Sequence, residues 1–331
     1  QAAQAMDVIY FNYVFVDKAG GIGHRSTGRV PVRGSKQGSH PKPVGASDDW
    51  LGFIPPEQMP GMIAPARDYR RIIEVLDAGK GMRTEDQLAL MMDDRNLQAP
   101  RLKPALVAAL QADASTADFA RILADWDGRD DRNQAAPLIY HTLYERLVYE
   151  TYVDEMGDKL ARSWLGQWYA WQERFDELVK TPDSPWFDDI RTPQKETLSD
   201  LVRRVAASAW PELQARHGAD ASKWKWGDEH RIHFFSPLRR SGTGRDFLGF
   251  AEQPMSGSGA TLLRALSPFM EGFNVQFFAS MRLVADMGDD DKIEAVVSGG
   301  VVDRQFHPNQ KDQLPAWTEG RLPTWWFAPQ Q

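Results

Sequence analysis

The sequence predicts an α+β fold, on three observations. Both ends of the 331-residue chain hold β-branched and aromatic runs bounded by turn residues. The middle repeats its apolar residues at helical spacing. No internal repeat or low-complexity segment interrupts the order, so strands, then helices, then strands place two sheet segments far apart in sequence. Residues 1–63 are then a first sheet segment and loop, 64–223 a mostly helical lobe, and 224–331 a returning sheet segment of the same core.

The run from Val8 to Val16 reads as a strand, and its continuous apolar character predicts that both faces are covered. Asp17-Lys18-Ala19-Gly20-Gly21 supplies turn chemistry, and Ile22 to Val32 reads as the returning strand. In the middle region, Thr84-Glu85-Asp86-Gln87 predicts a capping box that starts a helix at Thr84. Ser115 is placed to cap the next helix, where Phe119, Leu123 and Trp126 share a face. Tyr140 to Lys180 is a long aromatic-rich helical stretch with a break expected near Gly157 or Gly166. Thr192-Pro193 predicts a cap followed by proline at the first helical position, ahead of a stripe of Leu198, Leu201, Val202 and Val205. Near the end, Phe273 to Phe278 and Ile293 to Val297 are expected to flank a turn at Gly288-Asp289-Asp290-Asp291.

Composition sets limits. Hydrophobic residues make up 42% and charged residues 26%, ordinary globular values that exclude whole-chain disorder. Lys and Arg number 39 against 46 Asp and Glu, a net charge of -7 that argues against a general nucleic-acid binder. There is no cysteine, which excludes disulfides, thiolate metal sites and a cysteine nucleophile. No apolar run approaches the ~18 residues of a membrane span.

Local motifs commit to little chemistry. Gly20-Gly21-Ile22-Gly23 lacks both the lysine of a phosphate loop and the spacing of a dinucleotide loop, so it reads as a hairpin turn. His217, His230 and His233 lie near Asp228 and Glu229, but no HExxH is present, and packing with hydrogen bonding is the default reading. Asp286, Asp289, Asp290 and Asp291 do not follow the EF-hand spacing and read as a solvated turn. Asp125, Asp127, Asp130 and Asp131 are read the same way, with Trp126 the buried member. Ser298-Gly299-Gly300 is a turn, since GxSxG is absent.

The ordered set of segments says more. Phe11-Asn12 with Asp17 and Gly20 to His24 is followed by Gly28-Arg29-Val30-Pro31-Val32-Arg33, then by the run from Trp50 to Pro60. Arg71-Ile72 to Leu76, Thr84, and Asp93 or Asp94 come next, then Trp126-Asp127-Gly128 and the run from Trp224 to His230. His307, Asp312-Gln313 and Trp317-Thr318-Glu319-Gly320 close the series. In this order, over nearly the whole chain, the pieces resemble the C-terminal majority of the large subunit of the penicillin acylase (penicillin amidase) family. That resemblance implies a four-layer αββα N-terminal-nucleophile hydrolase core with an inserted helical lobe.

The resemblance also implies an activity: hydrolysis of an N-acyl amide, such as a β-lactam side chain, an acyl-homoserine lactone or a related acyl amine. The nucleophile in the family is an N-terminal Ser exposed by autocatalytic processing, with its own α-amine as base. Gln1 cannot play that part, so the nucleophile is expected upstream, on a segment that would join this chain and a small (alpha) subunit from the same precursor. Met62-Ile63 runs directly into Ala64-Pro65-Ala66-Arg67, where the family carries roughly thirty more residues including an oxyanion-donating Asn; so long a functional loop is seldom lost. Residue by residue, Phe11 matches a position lining the acyl pocket, and Arg67 an arginine that orders the active-site network. Pro41 matches a proline whose carbonyl ligates a structural calcium. No cofactor is implied for the chemistry, and a periplasmic or secreted location is. The alternative is a catalytically inactive relative that keeps an acyl-binding pocket. A metal hydrolase built on His217, His230 and His233 rests on composition alone.

Overall fold

In a computed structural model, the described residues are 12–16, 19, 21–33, 50–55, 58, 66–79, 82–234, 252–289, 292–302 and 304–326. They form two units. The first takes in residues 1–66, 285–293 and 326–331, and the second residues 67–284 and 294–325.

In the first unit, β1 (Asn12–Val16) and β2 (Ile22–Ser26) form an antiparallel hairpin, with Asn12 opposite Ser26 and Val16 opposite Ile22. The returning strand does not run on to Val32. Gly28 takes φ 84, and β3 (Pro31–Arg33) opens on a proline that has no N–H for a ladder. β3 pairs instead with β4 (Trp50–Phe53), through an irregularity between Val32 and Arg33. The expectation that both faces of the first strand are covered fails at Tyr13 and Val14, which are 41% and 74% exposed. Their hairpin forms a two-stranded sheet.

The second unit opens with α1 (Ala66–Ala78) and α2 (Thr84–Met91). The cap of α2 is Arg83 and not Thr84, because the short Asp86 carboxylate reaches back to accept the Arg83 N–H at 2.8 Å. α3 (Ala99–Gln111) follows, with Asn96 Oδ1 accepting the N–H groups of Gln98 and Ala99 at its start. Asp113, not Ser115, caps the next turn, accepting the Ser115 N–H at 2.8 Å, and α4 (Ala117–Asp125) begins after it. Phe119, Leu123 and Trp126 are buried as their spacing predicts.

The aromatic stretch breaks at both glycines, giving α5 (Ala136–Met156), α6 (Asp158–Leu165) and α7 (Trp168–Leu178). α5 buries residues around its whole circumference, as expected of a helix with no polar face, and it packs against α4, α6 and α8 (Leu198–His217). α8 starts at Thr197, five residues beyond the predicted cap. Thr197 and Asp200 exchange the two bonds of a capping box there. The Thr192 segment is tied down differently, with the Glu196 N–H donated to Asp188 and the Leu198 N–H to the Pro182 carbonyl. The predicted stripe of Leu198, Leu201, Val202 and Val205 is buried.

α9 (Trp226–Glu229) leads into β5 (Arg231–Ile232), which pairs with β6 (Gln253–Pro254). β7 (Ala265–Leu266) pairs with β8 (Phe277–Phe278). The rest of the expected strand at 273–278 is drawn elsewhere: the Val275 N–H donates to Arg231, and Phe273 packs on Trp226. β9 (Met281–Val284) therefore pairs with β10 (Lys292–Val297). α10 (Leu314–Glu319) and β11 (Thr324–Trp326) complete a three-stranded sheet ordered β11-β10-β9 with its packing helix. One buried cluster joins α3, α4, α5, α7 and α8. A second gathers Ile232, Met255, Val275, Val296 and Trp317. Among the described residues no helix is long and apolar enough to cross a membrane.

Candidate functional site

Three side chains were singled out through the family resemblance. Phe11 and Pro41 lie outside the described residues. Arg67 stands in the first turn of α1, and its side chain is likewise outside what is described. One turn on, Arg71 is held in place: its Nε donates to Asp93 at 2.7 Å, where Asp93 is buried beside the start of the core. The hydrogen bond to Asp93 holds the Arg71 guanidinium above its ordinary value.

The histidines do not converge. His230 is fully buried, flat against Trp226, and donates Nδ1–H to the Phe273 carbonyl at 2.8 Å. Burial, with His141 nearby, pushes it down to about 3, so it stays neutral. His217 faces Glu229 at 3.0 Å, and His233 faces Glu252 at 3.6 Å. Among the described residues no three potential metal-ligating side chains of His, Cys, Asp or Glu type come together.

One acidic residue corrects its sequence reading. Asp130 is fully buried, where a solvated turn was expected. Its carboxylate accepts from Asn96 Nδ2 at 3.0 Å and from His141 Nε2 at 3.1 Å. Its backbone bonds to Asp94 and Gly257. Both side-chain partners reach Oδ2, while Oδ1 is buried without one. Asp94, paired with Arg129 at 2.7 Å, is pushed up to about 6 by burial against that arginine's pull.

This network backs a pocket of about 410 Å³, within the ~300–1,000 Å³ usual for small-molecule sites. α5 supplies His141, Tyr144 and Glu145, α7 supplies Trp168, Trp171 and Gln172, and the 258–277 segment supplies the opposite wall. Trp171, Trp226, Tyr144 and Phe273 are buried in its walls, while Phe277 and Glu271 are exposed at the surface. Trp171 meets Phe269 edge-on at 4.8 Å, and His141 stacks on Trp226 at 4.8 Å. The position of α5 is fixed from behind by Tyr140, which donates to Gln98, which in turn donates to Asp176. Arg101 pairs with Asp176 at 2.7 Å.

Glu145 is the chemically unusual member. Burial pushes its carboxyl up to about 8, against the Met270 N–H and the Arg146 charge that favour the ionised form. Sequence reasoning missed this pocket. The available signal was a charged pair, Glu145-Arg146, between the apolar residues Leu143-Tyr144 and Leu147-Val148 of a helical run. The pocket offers rings and carboxyls, a chemistry of binding.

Comparison with known proteins gives one direction. The sequence model of the penicillin amidase family matches residues 1–70 and 69–331. The two stretches meet a few residues after the point where Met62-Ile63 runs into Ala64-Pro65. The "Acyl-homoserine lactone acylase QuiP" of Pseudomonas syringae pv. syringae (strain B728a) is 26% identical over 362 residues, covering 95% of this chain and 43% of that protein. The "Penicillin acylase 2 proenzyme" of Pseudomonas sp. (strain SE83) is 26% identical over 353 residues, covering 96% of this chain and 44% of that protein. The chain thus spans less than half the length of these curated relatives. Among solved structures, a thermostable penicillin G acylase from Alcaligenes faecalis superposes with a TM-score of 0.56 at 14% identity. That match covers 98% of this chain and 65% of the other. The likeness shows the fold: mixed helices and strands of the penicillin acylase kind.

Proposed function

Because this chain belongs to the penicillin amidase family, we propose that it is part of an enzyme hydrolysing N-acyl amides. The observation that carries the proposal is the family match along the whole length of the chain. Relatives named acyl-homoserine lactone acylase and penicillin acylase support the substrate class, a small acyl amide.

In this reading an N-terminal Ser on a preceding segment of the same precursor attacks the amide carbonyl, and its α-amine takes the hydroxyl proton. The C–N bond breaks as that proton passes to the leaving amine, and water then releases the acid from the acyl-enzyme. This chain supplies scaffold, with Phe11 against the acyl group and Arg67 ordering the reacting groups. Pro41 would offer its carbonyl to a structural calcium. A small subunit completes the enzyme, in the periplasm or outside the cell.

The test uses the product of the complete gene, incubated with a panel of long-chain acyl-homoserine lactones and phenylacetyl amides. Release of fatty acid or phenylacetate with an equal amount of free amine is the expected result. A correctly processed protein that turns over no member of the panel would overturn the proposal.

A further inference from the structure

We propose that the pocket between α5, α7 and the 258–277 segment binds an organic cation, an ammonium group carrying apolar substituents. This goes beyond the amide-hydrolysis reading and does not depend on it.

The lining has the two features such a ligand needs. The first is ring surface. Trp168, Trp171, Trp226, Phe269, Phe273 and Phe277 all line the pocket, and the faces of such rings attract cations through their quadrupoles. Trp168 already carries a cation of the protein's own: the Arg264 guanidinium lies 5.5 Å from its centroid. The second feature is charge sign. Glu145 and Glu271 line the pocket, and among the described residues no Lys or Arg does. An anionic ligand would meet two carboxyl groups with no counter-charge in that lining. A wholly apolar ligand would strip water from Glu145 and give nothing back. A cation pairs with it.

The wall facing α5 holds a strained residue beside the lining. Met270, a residue with a Cβ, takes φ 61 in the wall opposite α5. A turn closes over it, the Glu271 N–H bonding the Pro268 carbonyl at 3.3 Å. The Met270 N–H favours the ionised form of the Glu145 carboxyl. Residues held in such conformations cluster where a ligand is clamped, and Met270 lies between Phe269 and Glu271, which both line the pocket.

Ligand and proton then compete for Glu145. Empty, its carboxyl titrates at about 8. Arg146 acts on it from its own helix, His141 and Glu271 share its pocket lining, and Arg264 on the facing segment lies over Trp168. α7 contributes Trp168, Trp171 and Gln172 to the lining and no charge. A bound cation favours the ionised carboxylate, so binding releases a proton and tightens as pH rises toward 8.

The test uses the whole native protein, with choline as probe and its uncharged carbon isostere dimethylbutanol as control. Calorimetry and tryptophan fluorescence read binding. Expected results are saturable choline binding, at least tenfold tighter than the isostere, with proton release and at least a tenfold gain between pH 6.5 and 8.5. Glu145→Gln copies the protonated carboxyl in shape; it should lose that gain and at least tenfold in affinity. Trp168→Leu keeps the charge, removes a ring, and should weaken choline more than the isostere; it decides the matter if the first variant fails to fold. Equal binding of choline and isostere, no saturable binding, or choline affinity unchanged in a folded Glu145→Gln would overturn the proposal. Neither probe has an amide bond, so the outcome is independent of the acylase assay.

Discussion

His230 lies flat against Trp226, the ring centroids 4.3 Å apart and the planes 11° from parallel. Burial holds the imidazole neutral, its pKa pushed down to about 3 from an ordinary 6.5. Between those values the unfolded chain takes up a proton that the native state refuses. The stability contributed is therefore complete above pH 6.5 and is lost as pH falls toward 3. His230→Phe keeps a ring on Trp226 but leaves the Phe273 carbonyl without its donor, a loss of about 1–3 kcal/mol at pH 7. Urea unfolding at pH 7 and 4.5 should show wild type losing more stability than the variant on acidification.

Gly257 takes φ +87, and a Cβ built there would stand 2.1 Å from the Leu263 carbonyl oxygen. Its N–H donates to Asp130 and its carbonyl accepts from Trp226 Nε1, so it cannot shift without loosening both. Gly257→Ala should cost about 2–4 kcal/mol. Gly218 has a similar φ of +89, but a methyl added there would meet nothing within 4 Å. Gly218→Ala should cost only about 1 kcal/mol. Chemical denaturation of the two variants separates steric from purely conformational cost.

The true start of α8 predicts a contrast between two threonines. Thr197 and Asp200 form the capping box, so Thr197→Ala should cost about 1 kcal/mol. Thr192, the cap that the Thr-Pro pattern suggests, bonds only to nearby carbonyls. Thr192→Ala should change stability by less than about 0.5 kcal/mol. Thermal unfolding of both variants reads the difference.

Glu145 gives a pH dependence of the opposite sign to that of His230. Its native pKa of about 8 lies above the ordinary 4.5. Between the two, the native state holds a proton that the unfolded chain gives up, so stability falls as pH rises from about 4.5 to 8. Glu145→Gln removes that loss. It should match wild type near pH 4.5 and exceed it by about 1–3 kcal/mol at pH 8.5, read by urea unfolding at both pH values.

The sequence showed most clearly what periodicity can show. The buried stripe Leu198, Leu201, Val202 and Val205, and the shared face of Phe119, Leu123 and Trp126, follow from spacing alone. Helix starts were less legible, because Thr84, Ser115 and Thr192 were each outcompeted by a nearby carboxylate or a tertiary hydrogen bond. Strand partners were less legible still. Phe273 and Val275 have strand-like chemistry, yet Trp226 and Arg231 claim them from far along the chain. The pocket was invisible because Glu145, Trp168 and Phe269 come from three segments that only the tertiary fold brings together. The family, by contrast, was readable from an ordered series of short motifs spread over nearly the whole chain.

The most direct test of the amide-hydrolase account is covalent trapping. The native product of the complete gene is treated with phenylmethylsulfonyl fluoride, digested, and mapped by mass spectrometry, with acid release from an N-acyl amide followed in parallel. The account predicts that one serine is labelled, at the N-terminus of a segment preceding these 331 residues, and that hydrolysis stops as it is labelled. Hydrolysis that persists with no N-terminal serine labelled, or that is lost through a label on a side chain within residues 1–331, would contradict it.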